Sequence, residues 1–188
     1  MNTAHEIIIA GFGGQGVLSM GQIIAHAAME EGKEVSWMPS YGPEMRGGTA
    51  YCIVIVSSSR ISSPIVSKFD SAIILNQPSL DKFVDNVKPG GLILYETSSV
   101  ITPSTRTDIE SLGVDAQEEA RKLNKKQIAN MIMLGAFLER RPIVSHKNVI
   151  KALKEVLPER HHHLLSLNEE ALMRGKQIAV ESAHETVV

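Results

Sequence analysis

"IIIAGFGGQGV", residues 7–17, decides the fold. Ile7, Ile8, Ile9 and Ala10 run without polar alternation, the pattern of a central parallel strand buried on both faces. Gly11, Gly13 and Gly16 follow in G-x-G-x-x-G register. Val17, Met20, Ile24, Ala27 and Ala28 then recur at three- and four-residue steps, the stripe of an amphipathic helix. A glycine turn between strand and helix lets a ligand approach the backbone. The free N–H groups and dipole of the helix N-terminus favour an anion there. Gly32 stands where the helix should end, and "EVSW" (34–37) resumes as a second strand, giving a β-α-β unit.

A dinucleotide site also needs an acid at the carboxyl end of the second strand, to bind ribose hydroxyls. Trp37, Met38, Pro39 and Ser40 stand there instead, and Glu34 lies at the strand's start. The sequence therefore argues against NAD or FAD. Two readings of the turn stay open: it holds a phosphate or carboxylate of another ligand, or it is a tight turn with no ligand of its own.

Beyond the first unit, residues 39–48, "PSYGPEMRGG", read as a loop, with two prolines and three glycines in ten residues. "TAYCIVIVS" (49–57), "SAIIL" (71–75) and "LILYE" (92–96) read as buried strands. "SSSRISSP" reads as a turn, residues 79–87 as a helix, and "KPGG" (88–91) as a break. Strands and helices alternate to about residue 96, which predicts an α/β fold: a three-layer, Rossmann-like domain with a mainly parallel sheet. From Asp115, an N-cap acid, the pattern is helical, with segments over 126–139, 145–157 and 164 to about 180. There is no internal repeat or long linker, so the expectation is one domain whose part over 115–188 is a helical subregion.

The chain has 188 residues, 43% hydrophobic and 21% charged, with a formal net charge of -2, so nothing points to nucleic acid or a membrane surface. No apolar run reaches the about 20 residues of a membrane span, and "MNTAHE" is not a signal peptide, so the cytoplasm is the expected location. The single cysteine, Cys52, sits in a core strand, which excludes a disulfide framework or a four-cysteine iron–sulfur cluster within the chain. His161, His162 and His163 are consecutive, point in different directions on a helix and lack acidic or thiol companions, so no metal site is expected. No nucleophile elbow or Ser/His/Asp spacing is present.

The stronger candidate follows the second strand. Glu44 and Arg46 stand two residues apart in a glycine-flanked loop, and Arg46 could clamp a carboxylate or phosphate through two parallel bonds. The alternative is that both cap backbone or face a partner chain. Asn130, inside an apolar helical run, must tie that helix to a loop or face an interface.

"GFGGQGV", "W-x-PSYGPEMRGG", "ISSP", "N-x-x-x-LGA" (130–136) and "N-x-x-A-x-x-x-G" (168–175) occur in that order. On these motifs the chain resembles the gamma subunit of 2-oxoacid:ferredoxin (acceptor) oxidoreductases, over roughly residues 5–180. The resemblance implies a subunit of an enzyme that oxidatively decarboxylates a 2-oxoacid with coenzyme A, yielding acyl-CoA, CO2 and reduced ferredoxin or another acceptor. It implies thiamine diphosphate with Mg between alpha and beta subunits, and iron–sulfur clusters in the beta and, where present, delta subunits. It implies no redox centre in this chain, which alone would be inactive.

On that reading the glycine turn (Gly11, Gly13, Gly14, Gln15, Gly16) and the second loop lie together at the sheet's carboxyl edge and face the thiamine site of the neighbouring subunits, where Arg46 would help hold coenzyme A phosphates or close the site over the acyl-thiamine intermediate. The second loop contributes Ser40, Tyr41, Glu44, Arg46, Gly47 and Gly48, and Asn130 joins the cofactor-facing group; no residue is assigned to catalysis or metal binding. The separate, compact chain favours 2-oxoglutarate among the family's substrates. The competing readings are a free-standing Rossmann-type dehydrogenase and a purely structural subunit.

Overall fold

Four residues at the centre of β1 (Ala4–Phe12), Ile7 to Ala10, are wholly buried in the computed structural model, which describes residues 4–41 and 49–185. Around β1 the sheet has six strands in the order β2-β3-β1-β4-β5-β6. These are β2 (Glu34–Tyr41), β3 (Thr49–Ser57), β4 (Phe69–Ile74), β5 (Val87–Glu96) and β6 (Glu110–Val114). The ladders β1/β4, β4/β5 and β5/β6 are parallel, while β3 runs antiparallel to both β1 and β2. Five strands thus share one direction and β3 alone is reversed, a largely parallel α/β sheet as expected.

One neighbour relation differs from the sequence reading. The β1-α1-β2 unit exists, but β2 is not beside β1, because β3 lies between them. The reason is loop length. Only residues 42–48 join β2 to β3, and a parallel crossover needs about a dozen residues, so β3 must reverse. Its unbroken buried run, Cys52 to Val56, then claims the place next to β1. β2 is left at the edge, where Pro39 costs no ladder bond. Pro39, Ser40 and Tyr41 belong to this strand rather than to a loop.

Each face of the sheet builds a core. Ile7, Ile9, Cys52 and Val54 face α1 (Val17–Glu30), with α4 (Ala129–Arg140), α5 (His146–Val156) and α6 (Leu165–Glu185) continuing that layer. Ile8, Ile53, Ile55 and Ile93 face α2 (Gln77–Phe83) through Leu80 and Phe83. α2 begins two residues before the expected start, because Asn76 caps it: Asn76 Oδ1 accepts the Ser79 N–H at 2.9 Å.

"KPGG" does not break β5. Phe69 pairs with Val87 and Ser71 with Leu92, so the extra residues bulge within a continuous strand. β6 was not expected from the sequence; it has only Leu112 and Val114 facing the core, too short a run to show a period. After β6 the chain is helical, from α3 (Ala116–Lys122) onward, with 3-10 turns at Lys126–Ile128 and Glu159–Leu164. α4 and α6 cross at Gly135 and Gly175, where a methyl group would strike the Leu172 and Ile132 carbonyls. Among the described residues, no helix is long and apolar enough to cross a membrane.

Candidate functional site

From β1 the chain passes over one face, through α1, toward β2; from β4 it passes over the other, through α2, to β5. The order therefore reverses between β1 and β4, and open α/β sheets bind ligands at the carboxyl ends of such a pair. The glycine turn lies there. Gly14 has φ +95° and Gly16 φ +80°, left-handed values that side chains resist. Gln15 clips the turn down. Its Oε1 accepts the Phe12 N–H at 2.6 Å, and its Nε2 donates to the Leu75 carbonyl, beyond β4, at 3.2 Å. Gly11 lies under this clip, where a Cβ would come within 2.7 Å of Gln15 Oε1 and 2.9 Å of Leu75 Cβ. Much of the glycine pattern is thus required by the turn itself.

The turn also borders a cleft of about 700 Å3. Gly14, Gln15 and Gly16 form one wall; Glu96, Gln117 and Arg121 form the wall from β5 and α3; Gln127 lies in the 3-10 turn before α4 and Asn130 in the first turn of α4. Ile23, Met131, Met133 and Leu153 give an apolar floor, with Leu164 and Asn168 beyond. Two helix N-termini meet here. Gly16 is the N-cap residue of α1 and Ile128 that of α4, and neither helix has a side-chain cap or an acid in its first turn. With no side chain capping either helix, their dipole ends are left for a ligand, and an anion is the matching charge.

Asn130 is the second residue of α4, half-buried, with its amide packed directly on Gly16. The sequence reading placed it inside an apolar helix; the 3-10 turn before α4 brings it to the helix start instead. Among the described residues none hydrogen-bonds to its side chain, so contact rather than a bond joins helix and turn.

The other expected residues divide. Gly13 lies in the turn but not in the cleft wall. Ser40 pairs with Tyr51, whose ring packs on the α2 face, so Ser40 lies on the face away from the cleft. Tyr41 pairs with Ala50, and Phe12 with Thr49, so both ends of the 42–48 segment emerge beside the glycine turn. Glu44, Arg46, Gly47 and Gly48 themselves lie outside the described residues. Glu96, Gln117, Arg121 and Gln127 were not singled out from the sequence. Glu96 carried a signal, an acid ending the apolar strand "LILYE".

Cys52 is wholly buried, and burial pushes its thiol up to about 12, so it is no nucleophile or metal ligand at neutral pH. Among the described residues no group of His, Cys, Asp and Glu could hold a metal, His161 to His163 included. The described side chains therefore do not fit an iron–sulfur cluster.

The family of pyruvate ferredoxin/flavodoxin oxidoreductases matches residues 6–178. The chain is 36% identical to the 2-oxoglutarate synthase subunit KorC of Methanocaldococcus jannaschii, covering 82% of this chain and 84% of that one. It is 49% identical to the ketoisovalerate oxidoreductase subunit VorA of Methanothermobacter thermautotrophicus over 71% of this chain, and spans only 28% of that protein. The keto/oxoacid ferredoxin oxidoreductase gamma subunit from Geobacter sulfurreducens superposes with a TM-score of 0.83 at 28% identity, covering 95% of this chain and 97% of that one. The 2-oxoglutarate:ferredoxin oxidoreductase from Magnetococcus marinus, solved with 2-oxoglutarate, coenzyme A and succinyl-CoA bound, matches with a TM-score of 0.88 at 25% identity, over 96% of this chain and 32% of that one. With a family match across most of its length and relatives of the same extent, the chain belongs to the pyruvate ferredoxin/flavodoxin oxidoreductase family, as a gamma-subunit module.

Proposed function

We propose that this chain serves as the gamma subunit of a complex that oxidises a 2-oxoacid with coenzyme A to acyl-CoA and CO2, reducing ferredoxin or another acceptor. Alpha, beta and, where present, delta subunits would carry thiamine diphosphate, Mg and the iron–sulfur clusters. This chain contributes a wall for coenzyme A. The observation that carries the reading is the cleft on which two uncapped helix N-termini converge beside the ends of the 42–48 segment. Coenzyme A offers phosphates to that field, and Arg46 would add a guanidinium from the same edge.

Arg46→Ala in the reconstituted complex is expected to raise the KM for coenzyme A about tenfold, the loss of a charge-assisted bond, with assembly intact. Unchanged coenzyme A dependence in an assembled complex overturns the role. For the substrate, the KorC relative of equal extent supports 2-oxoglutarate, and the higher identity to VorA supports a branched 2-oxoacid. Identification of the co-purifying chains, followed by rates on a panel of 2-oxoacids, separates the two. A dehydrogenase would instead gain thermal stability from NAD or NADP added to the purified chain.

A further inference from the structure

Glu96 ends β5 at the carboxyl edge, two strands from β1, and is only 2% exposed. It lines the same cleft as Gly14 and Gly16. Its oxygens accept from one neutral residue: the Gln117 backbone N–H at 3.3 Å and Gln117 Nε2 at 3.1 Å. Gln117 Nε2 also donates to Ser99 Oγ at 2.7 Å, which fixes the amide. Among the described residues no lysine, arginine or histidine forms an ion pair with Glu96. Arg121, in the same wall, pairs with Glu118 at 2.6 Å instead.

A buried carboxylate is costly unless it is paired or fully hydrogen-bonded. It offers about four acceptor positions, and Gln117 meets two of them. Capping α3 does not account for the charge. Asp115 already caps that helix, accepting the Glu118 N–H at 3.4 Å and the Ser98 hydroxyl at 2.7 Å.

We propose that Glu96 binds a hydrogen-bond donor, hydroxyl or N–H, on the ligand whose anionic end meets the glycine turn. The acid absent from the end of β2 is then supplied from the end of β5. With β3 inserted, β2 no longer borders the switch point, whereas β5 lies next to β4 and delivers its last side chain into the cleft. The ligand class is a phosphorylated molecule that carries hydroxyl or amide donors. This rests on the reading of the cleft as the coenzyme A wall, since coenzyme A has both kinds of group.

The test is Glu96→Gln in the reconstituted complex, which keeps the shape and one of the two acceptors for Gln117 but removes the charge. The KM for coenzyme A should rise roughly tenfold, with kcat and the KM for the 2-oxoacid nearly unchanged. Glu96→Asp, charged but shorter, should fall between Gln and wild type. An unchanged coenzyme A KM in both variants overturns the proposal, and if the melting temperature then falls, Glu96 is a strut for α3. If Arg46→Ala raises the coenzyme A KM and Glu96→Gln does not, only the role of Glu96 falls. If neither does, the coenzyme A reading of the cleft falls with it.

Discussion

Gly16 carries two constraints at one atom. Its φ of +80° costs a side chain about 1 kcal/mol, and a Cβ there would also run into the Asn130 amide. Gly16→Ala should therefore destabilise by about 2–3 kcal/mol, the strain plus an overpacking cost. Asn130→Ala removes the amide, so the double variant should recover about 1 kcal/mol relative to the sum of the singles. Urea unfolding of the four proteins measures this directly. The same residue shows how far the sequence could be read. The turn was legible, because glycines between a buried strand and a helix stripe are a local pattern. That Asn130 abuts Gly16 was not, because it depends on how α4 packs across more than 100 intervening residues. Glu96 was overlooked for a similar reason: its meaning depends on β5 ending at the same cleft.

Elements show the same divide. α1, α4 and α5 were legible from apolar spacing and caps, and β1, β3 and β4 from buried runs. The β2/β3 inversion had a signal in the short 42–48 connection, while β6 had almost none. How α1 and α5 are joined could not be read at all. α5 has no acid in its first turn, yet helix N-termini favour one. Glu31, at the end of α1, supplies it: Glu31 Oε1 accepts the Ser145 N–H at 2.7 Å and Asn148 Nδ2 at 3.0 Å. Lys33 Nζ donates to Glu31 Oε2 at 2.7 Å and to the Ile143 carbonyl at 2.6 Å. Partial burial pushes the Glu31 carboxyl up, but these donors outweigh it and hold it at about 2, against an ordinary 4.5. A depressed folded value stabilises above the unfolded value and is lost as pH falls through the folded one. The staple should thus be fully present above about pH 5 and fade toward pH 2, contributing about 1–2 kcal/mol once solvent screening is allowed for. Glu31→Gln should lower the urea midpoint at pH 7 and converge with wild type near pH 2. A deficit that stays constant across that window would mean the carboxylate charge is not what joins the helices.

At the scale of the whole molecule, the two edges of the sheet are built differently. Charges lock the amino edge. Lys88 Nζ lies 2.6 Å from Glu6 and 2.8 Å from Asp70, joining the starts of β1, β4 and β5, and Arg141 reaches Glu110 at the start of β6 at 2.9 Å. At the carboxyl edge, two of the links among the described residues are made by amide side chains, Gln15 to the Leu75 carbonyl and Gln117 to the Glu96 carboxylate. Stability and ligand binding should therefore separate by edge. Lys88→Met leaves Glu6 and Asp70, each about a fifth exposed on its side chain, facing one another with no cation between them. It should cost about 2 kcal/mol at neutral pH while leaving the coenzyme A KM of the assembled complex unchanged, the reverse of Arg46→Ala. The pH dependence has a definite sign. Burial opposes the Lys88 charge, but its bonds to Asp70 and Glu6 more than offset that and hold its pKa above the ordinary 10.5. A raised folded value stabilises below the unfolded value and is lost as pH climbs through the folded one, so the gap between Lys88→Met and wild type should persist to about pH 10 and close above it. Urea midpoints from pH 7 to 11, with coenzyme A titrations at pH 7, decide the matter: a Lys88→Met complex with weakened coenzyme A binding would show that the two edges are coupled through the sheet.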